Sequence, residues 1–102
     1  MNHSVPPSIM PFQVSRALDE GEVAQLTCMV TTGDTPLQIT WTFHGVDSST
    51  RSQSDVSVIK IGTQGSLLMI QSATSDHSGN YTCTAKNAAG IANYTAELIV
   101  NG

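Results

Sequence analysis

Ser75, Asp76, His77 and Ser78 are the residue types of a nucleophile–base–acid relay, but they are neighbours in sequence. Adjacent side chains point apart, so these four cannot converge on one reacting atom. His77 is expected to be a partly exposed structural histidine, and His44, close to a loop, the same. Cys28 and Cys83 are 55 positions apart, too far for a Cys-x-x-Cys redox or zinc motif. Two cysteines with three scattered histidines, His3, His44 and His77, do not compose a zinc site. Asp19, Glu20 and Glu22 are expected to form a solvated turn rather than a calcium site. There is no glycine-rich phosphate loop. The chain is therefore read as a non-enzyme without metal or cofactor. Two chemistries remain. The cysteines are either one long-range disulfide or two buried thiols. Asn80-Tyr81-Thr82 and Asn93-Tyr94-Thr95 are acceptor triplets for N-linked sugar. Asn2-His3-Ser4 is a third match.

Composition narrows the class. One hundred and two residues suffice for one domain and not for two. Charged residues are 12%, about half the usual share, and twelve serines with twelve threonines fill the gap. The net charge of −4 provides no cationic patch for nucleic acid or anionic lipid. No apolar run approaches the length of a membrane span. Residues 1–7 hold no signal-peptide core, so a secreted form has its signal elsewhere.

The elements that must position these side chains are short and alternating, with turn residues every 8 to 12 positions, which predicts an all-β sandwich. Pro6, Pro7 and Pro11 suit an extended edge strand able to switch sheets. Strands are predicted at 23–30, 37–43, 56–61, 66–70, 80–86 and 91–100. Ala24, Leu26, Cys28 and Val30 point inward, as do Leu37, Ile39, Trp41 and Phe43. Leu68, Ile70, Tyr81, Cys83, Ala85, Ala96, Leu98 and Val100 do the same. Strand 56–61 is apolar on both faces, so its phase is open. A turn is expected at 19–22 with Gly21 at positive φ, and further turns at 33–36 and 62–65. The Ser-rich stretch 45–55 is read as a loop with at most a short edge strand. A corner is expected at 73–79, and a tight hairpin at 87–90 with Gly90 in the left-handed region.

Four features converge. Cys28 and Cys83 lie on inward rows of separate strands, Trp41 follows Cys28 by 13 residues, Tyr81 precedes Cys83 by two, and Leu68 lies on the strand before that corner. The run Asp76-His77-Ser78-Gly79-Asn80-Tyr81-Thr82-Cys83 resembles the Asp-x-Gly-x-Tyr-x-Cys block of I-set immunoglobulin domains. Ala85-Lys86-Asn87-Ala88-Ala89-Gly90 resembles their F–G hairpin. The resemblance covers the whole chain. It implies a two-sheet Greek-key sandwich in which a Cys28–Cys83 disulfide bridges the sheets, Trp41 packs on it and the Tyr81 hydroxyl bonds backbone. One departure matters: His77 stands where the family has its Asp, which puts the usual Asp–Arg bridge at the sandwich base in doubt. Within the I-set, Pro6-Pro7-Ser8-Ile9-Met10-Pro11-Phe12, Gly33-Asp34-Thr35-Pro36-Leu37-Gln38-Ile39-Thr40-Trp41 and Ser66-Leu67-Leu68-Met69-Ile70 resemble Dscam (Down-syndrome cell adhesion molecule) domains. The similarity points to the arthropod seventh domain, or to the first domain of shortened chelicerate Dscams.

That resemblance implies cell-surface adhesion by homophilic binding, the domain pairing antiparallel with an identical copy about a two-fold axis. The chain is then one immunoglobulin-like domain, 1–102, of a longer extracellular, single-pass protein. Its partners would be an apposed identical domain and flanking immunoglobulin or fibronectin III domains, without direct membrane or nucleic-acid contact. Asn80 and Asn93 point outward on the G-F-C sheet in the family's lettering, and sugars there leave the A-B-E-D sheet free. On its outer face Thr27, Met29, Leu67 and Met69 are expected, with Val58 and Lys60 if strand 56–61 has that phase. The alternatives are a structural I-set spacer and a heterophilic receptor domain.

Overall fold

The computed structural model describes residues 5–14, 16–45 and 56–102. The Ser-rich stretch 46–55 and the triplet at Asn2 lie outside the described residues. Among the described residues nine strands follow in chain order: β1 (Ser8–Ile9), β2 (Leu18–Asp19), β3 (Ala24–Thr32), β4 (Gln38–Gly45), β5 (Val56–Ile61), β6 (Gly65–Ile70), β7 (Gly79–Asn87), β8 (Gly90–Leu98) and β9 (Val100–Asn101). One antiparallel sheet has the order β1-β3-β6-β5 and the other β4-β7-β8. After a break at Ile99, β9 continues β8 and pairs in parallel with β2. The proline-bearing start therefore does switch sheets: β1 lies on β3, whereas β2 lies beside the second sheet. Among the described residues no helix is long and apolar enough to cross a membrane.

Period-two alternation explains the core. Leu18, Ala24, Leu26, Leu68, Ile70, Ala73, Tyr81, Leu98 and Val100 are buried together. Phe12, Val14, Trp41, Phe43 and Val56 pack on them, half-buried. At the centre Cys28 of β3 and Cys83 of β7 form a disulfide between the sheets, both residues being wholly buried.

A second cross-sheet link lies alongside, which alternation does not reveal. Ser66 is the register partner of Cys28, and Trp41 is the partner of Cys83. The Trp41 indole N–H donates to Ser66 Oγ across the sandwich at 2.9 Å. Ser66 is thus a buried hydroxyl placed to satisfy the indole. Ser66→Ala strands that donor and should cost about 1–3 kcal/mol. Urea denaturation followed by fluorescence of Trp41, the sole tryptophan, measures it. An unchanged midpoint would mean the bond contributes nothing net.

The corner after β6 is a short 3-10 turn, Ser75–His77. Tyr81 donates its hydroxyl to the His77 carbonyl at 2.7 Å, as the Tyr-x-Cys spacing implies. His77 is only 3% exposed, not partly exposed as expected. Its Nδ1 accepts the Thr74 backbone N–H at 3.0 Å, reaching back as a capping-box side chain does. Burial follows because the ring closes the base of the sandwich at the position where the family pattern has its Asp.

The β7–β8 hairpin also differs from expectation. Gly90 is not at positive φ; Gly21, Gly33, Gly62 and Gly79 are. The Asn87 side chain makes the turn instead, its Oδ1 accepting the N–H of Ala89 and of Gly90. Its Nδ2 donates to the carbonyls of Val5 and Asp34, tying the entering chain to two loops. Gly33, at φ 139°, lies so close to Pro7 that a Cβ would sit 2.9 Å from its Cα. Only glycine fits both that backbone and that contact.

Candidate recognition surface

Register sets which side chains share the outer face of the β1-β3-β6-β5 sheet. Three rows cross β3, β6 and β5: Gln25–Met69–Ser57, Thr27–Leu67–Ile59 and Met29–Gly65–Ile61. Thr27, Met29, Leu67 and Met69 thus lie together on that face. Val58 and Lys60 do not. Val58 is opposite Leu68 and Lys60 opposite Ser66, so both share the inner side of the sheet. They remain exposed because they line a cleft of about 180 Å³ with Leu37, Ile39, Thr63 and Ser66. The correction comes from the turn joining β5 to β6. Ile61 closes on Gly65 around residues 62–64, and that register fixes a phase which apolar residues on both faces of β5 leave open.

The same correction brings in Ile59 and Ile61, which sequence reasoning missed, 46% and 37% exposed. The hairpin signal at 62–65 held the information, but only its closing pair tells which parity faces out. Gly65 is buried under Met29, and a Cβ there would lie 2.7 Å from the Met29 sulfur. The thioether therefore lies over the glycine and beside Ile61. Met69 Sδ accepts a weak bond from Gln71 Nε2 at 3.5 Å. Among the described residues of these three rows none is charged. A solvated sheet face ordinarily alternates to polar residues; this one is apolar at five positions, with hydroxyl and amide groups between.

The outer face of β4-β7-β8 is its opposite in character. Its rows are Gln38–Lys86–Ile91, Thr40–Thr84–Asn93, Thr42–Thr82–Thr95 and His44–Asn80–Glu97. Asn80 and Asn93 are both exposed there.

Among the described residues the acidic side chains concentrate at one end of the sandwich. Lys60 and Lys86 line depressions on either side of Pro36 and Leu37, at the end that holds Val5, Asp34 and Asn87. The other end joins the β2–β3 turn to the 3-10 corner by the Gly21–Ala73 and Ala73–Glu22 backbone bonds. It carries Asp19, Glu20, Glu22 and Asp76, with Arg16 held by Glu22 at 2.6 Å. Glu22 also accepts the Asp19 backbone N–H. The Arg16 hydrogen bonds, then the Asp19 N–H, hold the Glu22 carboxyl down at about 2, and Arg16 is raised in turn. A carboxyl depressed on folding stabilises the fold above its unfolded value of about 4.3 and loses that contribution as pH falls towards 2. Urea midpoints of the parent and of Glu22→Gln should therefore differ at pH 6 and converge near pH 2. A constant gap would show that the ion pair has no part in acid stability.

The immunoglobulin-domain profile matches residues 6–87. The chain is 37% identical over 98 residues to the cell adhesion molecule Dscam1 of Drosophila melanogaster, an alignment covering 95% of this chain and 5% of that protein. The seventh immunoglobulin domain of Dscam1, isoform 9, superimposes with a TM-score of 0.82 at 36% identity, covering 94% of this chain and 100% of that one. The N-terminal eight-domain structure of Down Syndrome Cell Adhesion Molecule isoform 1.30.30 gives 0.79 at 35% identity, covering 92% of this chain and 12% of that one.

Proposed function

Since this chain belongs to the immunoglobulin-domain family, we propose that it is a recognition module of a cell-surface adhesion protein, binding a second copy of itself through the outer face of β3, β5 and β6. The family is not an enzymatic one. The carrying observation is that Met29, Ile59, Ile61, Leu67 and Met69 lie together on three described rows that hold no charged residue. Apolar surface held in water on a rigid sheet favours association, and a two-fold axis lets one such face serve both partners. The cross-sheet disulfide agrees with an extracellular setting. Flanking domains follow from the relatives, since the chain spans about 5% of Dscam1.

Sedimentation velocity from micromolar to near-millimolar concentration tests the reading. Reversible dimerisation is the expected result. A monomer throughout overturns self-recognition by this domain alone and returns the spacer and heterophilic readings.

A further inference from the structure

We propose that Asn80 and Asn93 both carry N-linked oligosaccharide, attached before β7 and β8 close on each other. Both side chains are exposed on the outer face of β4-β7-β8, so sugar on either can project into solvent without disturbing the core. Both belong to Asn-x-Thr triplets whose middle residue, Tyr81 or Tyr94, is on the inward row. Asn93 is opposite Thr84, four residues along β7 from Asn80. With about 3.4 Å per residue and 4.8 Å between strands, the two sites are roughly 14 Å apart, room for two glycans. They flank the row Thr42–Thr82–Thr95, one towards each end of the domain.

The order of events comes from the threonines. Thr82 and Thr95, the hydroxyl residues of the two triplets, are direct cross-strand partners and share a hydrogen bond of 2.7 Å. In the folded hairpin each hydroxyl is engaged by the other, and both triplets are held extended in a paired ladder. A transferase that must read the hydroxyl alongside the asparagine finds them available only on the open chain. In the transfer the Asn Nδ2 attacks the anomeric carbon of a polyprenyl-diphosphate-linked oligosaccharide. A carbon–nitrogen bond forms, the bond from that carbon to the diphosphate oxygen breaks, Nδ2 gives up one proton and polyprenyl diphosphate leaves. Cys83 directly follows the first triplet, so early disulfide formation would compete with sugar at Asn80. The disulfide agrees with the oxidising secretory setting in which such transfer occurs. The consequence is a two-faced domain, sugar on the hydroxyl-rich sheet and bare apolar surface on the other.

Intact-mass measurement of the chain secreted from animal cells tests this, before and after enzymatic release of N-glycans. In an Asn2→Gln background, which removes the third triplet, two oligosaccharides are expected, one lost in Asn80→Gln and one in Asn93→Gln. Thr82→Val should remove the sugar from Asn80 and Thr82→Ser retain it, a pattern that a merely structural threonine would not produce. Adding a thiol reductant during synthesis should raise occupancy at Asn80. A bare polypeptide mass in secreted, disulfide-bonded protein overturns the proposal, and sugar at only one asparagine overturns the assignment of the other. Occupancy unmoved by reductant overturns the competition with the disulfide. None of these readouts depends on self-association.

Discussion

Replacing Cys28 and Cys83 together by alanine is expected to cost about 4 kcal/mol of stability, the chain-entropy value for a loop of that length. A domain of this size has about 5–15 kcal/mol in all, so the loss is a large share of it. At an ordinary urea dependence of about 2 kcal/mol per molar, the unfolding midpoint should fall by roughly 2 M. Position makes the loss severe. The bond ties β3 to β7, the inner strands of the two sheets, at a point where neither residue meets solvent. The Trp41–Ser66 bond beside it spans the same gap, so the alanine variant retains one polar link between the sheets. Equilibrium denaturation of parent and variant decides the matter. A loss below 1 kcal/mol would mean that packing and the indole bond already hold the sheets in place.

Leu67→Asp should weaken self-association at least about a hundredfold while leaving the monomer folded. Leu67 is in the central row, between Thr27 and Ile59, and half-buried in the isolated domain. There an aspartate keeps much of its hydration, so the monomer loses only about 1 kcal/mol of strand preference. In the proposed pair the carboxylate is dehydrated, and two-fold symmetry does this twice. Each buried charge costs several kcal/mol, well beyond the 2.7 kcal/mol of a hundredfold change. Thr40→Asp, on the outer face of the other sheet, is the control and should leave association as it was. The sedimentation series on both variants checks the expectation. Unchanged dimerisation of Leu67→Asp with loss in Thr40→Asp would move the interface to the β4-β7-β8 face.

The particular departures from sequence reasoning share a cause. Alternation in β3, β4, β7 and β8 reads correctly because one parity is largely apolar and the other largely polar, and burial follows polarity; in β6 both parities are apolar, and Leu68 and Ile70 are the buried ones. β5 resists because Val56, Val58, Ile59 and Ile61 provide apolar residues on both parities. Lys60, the one charged residue in it, is on the inner side of an edge strand, where a cleft leaves its ammonium in water. A charge therefore misleads as a marker of the outer face. His77 misleads in the same way: its polarity suggests exposure, while the Thr74 N–H and the closing corner compensate its burial. Ser66 is one more buried polar group whose partner, Trp41, is 25 residues away in sequence.

What the amino-acid sequence determines by itself is everything that depends on period and spacing. It determines the sandwich and the inward row of each amphipathic strand, while the Cys28–Cys83 pairing and the tyrosine corner are implied by the family resemblance. What the tertiary structure decides is everything that depends on register between segments. The closure of Ile61 on Gly65 puts Ile59 and Ile61 beside Leu67, and the pairing of Thr82 with Thr95 joins two distant triplets on one face. The physical reason is that side-chain direction along one strand is a local property of the backbone. Which strands meet, and at which residue, is set by turn geometry and by the whole core packing at once.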